Sequence, residues 1–261
     1  MGEGGERKKK TNNVVYLQSQ ITKKLNTMAS LYLFPTLLSN IDWQECLPTK
    51  NVEKILECDC FIVEELRTAR RFLRSIGYTK SFDEVSFFVL NEHTTETEMS
   101  NYLSPIAKGK DIFLMSEAGL PCVADPGSSV VAMAQRRDIE VVPMVGPSSI
   151  YMSLMASGFN GQNFAFLGYL PVKEEERKKK LRQIQERIVK EGQSQIFIET
   201  PYRNDKMFQT ILQTLNEDIL LCVAIEITSK QQKIKTKTIR EWKQKKDFSI
   251  GKHNAIFLLY R

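Results

Sequence analysis

Met115-Ser116-Glu117-Ala118-Gly119-Leu120-Pro121-Cys122-Val123-Ala124-Asp125-Pro126-Gly127 is the stretch on which the reading of the fold turns. The apolar run Ile112-Phe113-Leu114-Met115 leads into it, and a helix pattern through Val130, Val131, Met133 and Ala134 follows, with Ser128 as its expected cap. The order is strand, loop, helix. Gly119, Pro121, Pro126 and Gly127 keep the loop out of regular structure, yet it carries little charge, which fits a ligand-facing loop better than a solvated connector. The unit recurs in miniature where Val141-Val142-Pro143-Met144-Val145 runs into Gly146-Pro147-Ser148-Ser149 and the apolar helix positions Ile150, Leu154 and Met155. Open α/β sheets bind ligands at such strand ends.

Outward from this centre, apolar strand-like runs over residues 31–34, 60–63 and 85–90 alternate with helix patterns over 51–57, 65–75 and 96–107. That alternation predicts a mostly parallel sheet in an N-terminal α/β domain over residues 30–159. The pattern pauses at Gly158-Phe159-Asn160-Gly161, and a C-terminal α+β domain is expected over 160–261. There, strands at 164–167, 195–199, 219–227, 233–238 and 255–260 accompany a charged helix over 174–190 and a helix through Met207, Ile211, Leu212 and Leu215. The clustering of strands near the end predicts a mixed sheet with antiparallel pairing. Residues 1–29 read as a leader or disordered extension; their acidic residues and few Ser and Arg argue against an organelle-targeting segment.

The 261 residues, 42% of them hydrophobic, suffice for a large core. No apolar run is long enough to span a bilayer and the N-terminus lacks a secretory signal, so a cytoplasmic protein is expected. The five cysteines form no C-x-x-C pair and read as reduced and mostly buried. Of the net charge of +6, most resides in the first thirty residues, where six Lys/Arg face two Glu. Bulk charge therefore decides little. Phosphate-loop, dinucleotide, nucleophile-elbow and zinc-protease motifs are absent, and with only His93 and His253 a histidine metal site or triad has little support; no metal is expected.

Several constellations admit two readings. The 116–127 loop either cradles a ligand, with Glu117 or Asp125 accepting hydrogen bonds, or is a rigid turn in which Asp125 caps the next helix. Pro147-Ser148-Ser149 binds a ligand or simply begins a helix. In Glu199-Thr200-Pro201-Tyr202-Arg203, Glu199 and Arg203 neutralise each other or line a pocket at a strand end. Arg67, Arg70, Arg71 and Arg74 share one helix face, a stripe suited either to phosphate contact or to solvation. The stretch 230–246, with eight Lys/Arg and one Glu, reads as a solvated edge and amphipathic segment. Arg177-Lys178-Lys179-Lys180 follows three glutamates, as on a charged helix.

These motifs, in this order, resemble the tetrapyrrole-methylase-type S-adenosylmethionine-dependent methyltransferases. More narrowly, they are similar to the branch that methylates a cytidine ribose 2′-oxygen in small-subunit ribosomal RNA. The resemblance is carried by Leu31-Tyr32-Leu33, by Val63-Glu64-Glu65-Leu66-Arg67-Thr68-Ala69-Arg70, by Ser116-Glu117-Ala118-Gly119-Leu120-Pro121 with Ala124-Asp125-Pro126-Gly127, and by Pro143-Met144-Val145-Gly146-Pro147-Ser148-Ser149. Phe166-Leu167-Gly168-Tyr169-Leu170-Pro171 and Glu199-Thr200-Pro201-Tyr202-Arg203 complete it.

The resemblance implies two α/β domains with the methyl donor, S-adenosylmethionine, in the cleft between them, commonly in a homodimer. The donor contacts it implies are Pro35, Ser116, Glu117, Ala118, Gly119, Pro121, Ser148, Ser149, Leu167, Thr200, Ala224 and Ala255. The 35–40 loop has no glycine, Glu117 and Leu120 replace the usual Asp and Thr, and Glu226-Ile227-Thr228-Ser229-Lys230 lacks the usual acidic residue after it, which marks a divergent sub-branch. The implied reaction is in-line methyl transfer to a ribose 2′-hydroxyl of ribosomal RNA or the small ribosomal subunit. Glu64, Glu199 and Arg203 are the acceptor-side candidates, and Arg67, Arg70, Arg71 and Arg74 the RNA contacts. C-methylation of a tetrapyrrole by the same donor site, and a donor-binding module without catalysis, are the alternatives.

Overall fold

A computed structural model describes residues 29–91 and 93–261. The leader reading falls, Ala29 apart, outside the described residues. The chain forms two compact units, one comprising the described residues up to Pro35 together with Pro48–Val145, the other Thr36–Leu47 and Gly146–Arg261. The division after Val145 precedes the 159/160 boundary read from the sequence. Its cause is the helix Ser149–Ser157, whose Ile150 and Leu154 bury against Ile196, Ala224 and Leu258 of the second unit's sheet.

In the first unit, β1 (Leu31–Phe34), β2 (Cys60–Val63), β3 (Ser86–Val89), β4 (Ile112–Met115) and β5 (Val141–Pro143) pair in the order β3-β2-β4-β1-β5. All the pairings are parallel. Every residue of β2 and β4 is buried, which is why both read as unbroken apolar runs. Tyr32, Phe113, Phe61 and Phe87 stand in register across four strands, with ring centroids 4.8, 6.4 and 5.4 Å apart along the row. A one-residue slip would break each contact, so the row fixes the register. The helices are α1 (Thr49–Glu57), α2 (Leu66–Ser75), α3 (Glu96–Tyr102) and α4 (Ser128–Arg136). α3 is shorter than expected, because Pro105 cannot continue a helix and the chain instead makes a 3-10 turn over Ile106–Lys108. Ser128 proves to be the first helical residue of α4, and the cap is Gly127, with no side-chain bond.

The second unit holds β6 (Phe164–Tyr169), β7 (Ser194–Ile198), β8 (Leu220–Ile225), β9 (Lys233–Thr238) and β10 (Ala255–Tyr260), in the order β6-β7-β10-β8-β9. Only β6 and β7 pair in parallel, so the sheet is mixed as expected. With α5 (Ser149–Ser157) already placed, α6 (Glu174–Glu191), α7 (Asn204–Thr214) and α8 (Ile239–Lys243) complete this unit's helices. One apolar cluster contains Phe197, Phe208, Phe257 and Trp242; the other, packed with α5, contains Ile196, Cys222 and Leu258. α8 emerges from the lysine-rich stretch because Thr238 and Glu241 form a capping box. It delivers Trp242 into the core, where the indole N–H donates to the Leu221 carbonyl at 2.9 Å and the ring meets Phe208 edge-on. Arg177, in the basic run of the charged helix α6, is 2% exposed. Its guanidinium donates to the Val172 carbonyl at 2.8 Å and to Thr210 Oγ1 at 3.3 Å, tying the segment after β6 to α7.

Among the described residues no helix is long and apolar enough to cross a membrane. Trp242→Ala is expected to destabilise the second unit by about 3–5 kcal/mol, since it leaves a cavity and removes a buried hydrogen bond. The shift in the urea unfolding midpoint checks this.

Candidate functional site

The topology of the first sheet selects a site. From β1 the chain crosses to β2 on one side, whereas from β4 it crosses to β5 on the other, and β1 and β4 are hydrogen-bonded neighbours. Strand order therefore reverses between them, and the carboxyl ends of such a pair flank the crevice in which open α/β sheets hold ligands. Pro35 follows one end and the 116–127 loop the other.

The loop is held by its own polar groups. Ser116 Oγ donates to the Gly119 carbonyl at 2.6 Å, and Gly119 has φ +78°. Cys122 and Ala124 are left-handed at φ 67° and 62°, a conformation costly to side-chain-bearing residues and concentrated at functional sites. Asp125 Oδ1 accepts from the Cys122 N–H at 3.0 Å and the Gly127 N–H at 2.8 Å. Gly127 is required by space: a Cβ there would lie 2.9 Å from both Cys122 Sγ and Leu114 Cδ2. Burial, and then the charge of Asp125, push the Cys122 thiol up to about 12, so it is no thiolate nucleophile near neutral pH.

Glu64 follows β2 and reaches this loop, its Oε1 accepting from the Glu117 N–H at 3.3 Å. Its carboxyl is raised from the ordinary value of 4.5 to about 7 by burial first, then by the charge of Asp125 and by the hydrogen bond a protonated Glu64 gives that residue; the Glu117 N–H opposes the shift. Asp125 Oδ2 is buried, and no donor among the described residues bonds it. Burial also raises the Glu117 carboxyl. Three carboxylates thus converge on one loop, and the Asp125–Glu64 contact carries no signal in their sequence separation.

The arginine stripe divides in two. Arg74 lies 4.0 Å from the centre of the Phe82 ring and donates to the Tyr78 and Lys80 carbonyls, while Arg70 lies 5.4 Å and 5.3 Å from the centres of Phe82 and Phe87. Both staple α2 to the following segment. Arg67 and Arg71 remain exposed.

In the second unit, Glu199 is buried and its Oε1 accepts from Arg203 Nη2 at 2.6 Å, Arg203 Nε at 2.9 Å and the Thr200 N–H at 2.7 Å. The two side chains neutralise each other and anchor Thr200. Ser148 caps α5, accepting from the Tyr151 N–H at 3.4 Å, and Ser149 opens that helix. Leu167 lies between Phe166 and Tyr169, where the β6–β7 register slips, next to left-handed Gly168. Ala224 and Ala255 sit on adjacent strands but in different clusters, Ala224 with Ile150 and Leu154, Ala255 with Phe257 and Trp242. Their side chains therefore face opposite sides of the sheet.

The family model of tetrapyrrole (corrin/porphyrin) methylases matches residues 45–243. Three curated relatives bear the name ribosomal RNA small subunit methyltransferase I. The one from Haemophilus influenzae is 29% identical over 81% of this chain and 72% of its own length. That from Buchnera aphidicola is 28% identical over 90% and 79%, and that from Leptospira borgpetersenii 33% identical over 70% and 72%. The solved methyltransferase CobJ aligns with a TM-score of 0.59 at 12% identity, covering 89% of this chain and 99% of that one. The cobalt precorrin-4 methyltransferase CbiF aligns at 0.56, also at 12% identity, over 88% and 94%. At that identity the likeness shows the fold alone.

Because folded Glu64 keeps a proton that the unfolded chain has lost, its stabilising contribution is complete below about 4.5 and disappears as pH rises through about 7. Glu64→Gln is expected to flatten the decline in stability across this window, as read by urea midpoints at pH 5 and pH 8.

Proposed function

The chain belongs to the tetrapyrrole (corrin/porphyrin) methylase family, and on that premise we propose that it transfers a methyl group from S-adenosylmethionine to a ribose 2′-hydroxyl of small-subunit ribosomal RNA. The observation that carries the donor assignment is the 116–127 loop at the reversal of strand order between β1 and β4. The acceptor assignment is supported by the name the curated relatives share over most of their length.

The residues present suit the donor. Gly119 lets backbone approach a ligand, Ser116 Oγ and Gly127 shape the loop from within, and Glu117 is exposed at its rim. Pro35, Ser116, Glu117, Ala118, Gly119 and Pro121 are the first unit's proposed donor contacts. When bound, S-adenosylmethionine supplies a methyl group on a sulfonium that is already a good leaving group. The protein's own work is then alignment and removal of one hydroxyl proton. Glu64 is the proposed proton acceptor, since its carboxyl titrates near 7 beside the loop and is ionised above that value. Arg67 and Arg71, one helical turn apart and exposed, are proposed to hold RNA phosphates.

The test is calorimetric titration of S-adenosylmethionine into the protein, followed by incubation of labelled donor with undermethylated small ribosomal subunits. Donor binding with label in the RNA is expected; binding with no label in RNA would remove the acceptor assignment, and no binding would remove the donor site. Arg67→Ala with Arg71→Ala should weaken RNA binding and leave donor affinity unchanged. The wild-type transfer rate should rise with pH through about 7, and Glu64→Gln should abolish that rise.

A further inference from the structure

The lysine-rich stretch is more than a solvated edge. β9 is an edge strand, and its register sets Lys233 opposite Ile225 and Lys235 opposite Val223 of β8. Alternation along a strand puts both lysines on the sheet face of the Phe257 and Trp242 cluster, about 7 Å apart. Beside them lies a cavity of about 810 Å³, with Ile225 and Phe248 among its apolar lining and Lys230, Lys233 and Lys235 among its charged lining. Its size is that of a small-molecule or nucleotide site.

The charge in this cavity is not balanced. Among the described residues, Lys230, Lys233 and Lys235 enter no ion pair. Asp247 also lines the cavity. Glu226 is occupied elsewhere, its Oε1 accepting from the Asn254 N–H at 2.8 Å and lying 3.4 Å from His253 Nδ1. Lysines on an edge strand do guard against edge-to-edge pairing. That role accounts for neither the apolar lining nor Lys230, which lies off the strand and follows a segment with Glu226 and Thr228 left-handed at φ 49° and 71°. Strained backbone of this kind persists where the surrounding structure fixes it. An apolar floor with an unpaired cationic rim matches a nucleotide, whose base has an apolar face and whose phosphate is anionic.

We propose that the cavity bounded by Lys230, Lys233, Lys235 and Phe248 is a nucleic-acid subsite of the second unit, taking a nucleotide of single-stranded RNA with its phosphates on the lysines. The inference rests on the RNA reading above and deepens it, since it assigns a footprint apart from Arg67 and Arg71.

The experiment uses the full chain and a labelled, unstructured oligoribonucleotide, with affinity followed by fluorescence anisotropy across a range of salt. Lys233→Gln with Lys235→Gln is compared with Lys179→Gln plus Lys190→Gln, which removes equal charge from the exposed surface of α6. The proposal expects the first pair to weaken binding and to reduce the slope of log affinity against log salt by about 1.4, about 0.7 for each phosphate no longer neutralised, while the second pair leaves it near wild type. Equal losses in both pairs, or no RNA binding by the wild type, overturns it. Methylation of ribosomal RNA with unaltered binding in the first pair overturns the subsite and leaves the proposed function standing. Loss of binding in that pair, with no methyl transfer to RNA by the wild type, supports the subsite and removes the proposed function.

Discussion

The in-register row of Tyr32, Phe113, Phe61 and Phe87 is the constraint on which the first unit's site depends. Parallel strands carry no hairpin to set their register, so side-chain packing must do so. With Tyr32 opposite Phe113, Phe34 falls opposite Met115, and β1 and β4 end at the same level. Pro35 and Ser116 then leave the sheet side by side. A shift of one residue would move the loop relative to β1 and also turn buried side chains of β4 to the other face. The strand-end site and the core are thus set by the same contacts.

Asp125 is the node of the loop. Its Oδ1 closes the turn through two backbone N–H groups, and its Oδ2 is buried with no donor among the described residues. Glu64 joins the segment after β2 to this loop through the Glu117 N–H and, with Asp125 beside it, has its carboxyl raised to about 7. When the proton leaves, two carboxylates face each other in a partly buried setting, and repulsion replaces attraction. A group in this position can release and recover a proton near neutral pH while the backbone bonds to Asp125 Oδ1 hold the loop in shape.

Much of this was legible in the sequence, for identifiable reasons. β2 and β4 declared themselves because burial on both faces leaves only apolar residues, and the 116–127 loop because glycine and proline mark backbone that regular structure cannot accept. What escaped depends on contacts distant along the chain. The unit boundary at Val145 follows from α5 packing on the second sheet, and an apolar helix pattern does not say which sheet it serves. Arg177 sat in a run of charges whose neighbours are solvated, and only the carbonyls and the hydroxyl around it reveal that it is buried. Ser128 lost its expected cap role because Gly127 takes that position. The Glu64–Asp125 contact joins residues with no periodic relation, and only the sheet brings them together.

The basic residues show why composition was a poor guide to charge. Arg67, Arg70, Arg71 and Arg74 share a face by helical periodicity, yet Arg70 and Arg74 are committed to Phe82 and its neighbours, which leaves Arg67 and Arg71 to meet a partner. The lysines of β9 looked like a uniform solvated edge, yet strand alternation assigns Lys233 and Lys235 to one face and Thr236 to the other, where it bonds the Ser157 carbonyl. Where a cation finds a ring or a carbonyl inside the chain, as Arg70 and Arg74 do, its charge is engaged by the fold. Where it faces a cavity or solvent without a carboxylate, its counter-charge must come from water, salt or a bound anion. A polyanion therefore meets the cations that the fold leaves unspent, and not the sum of the charges.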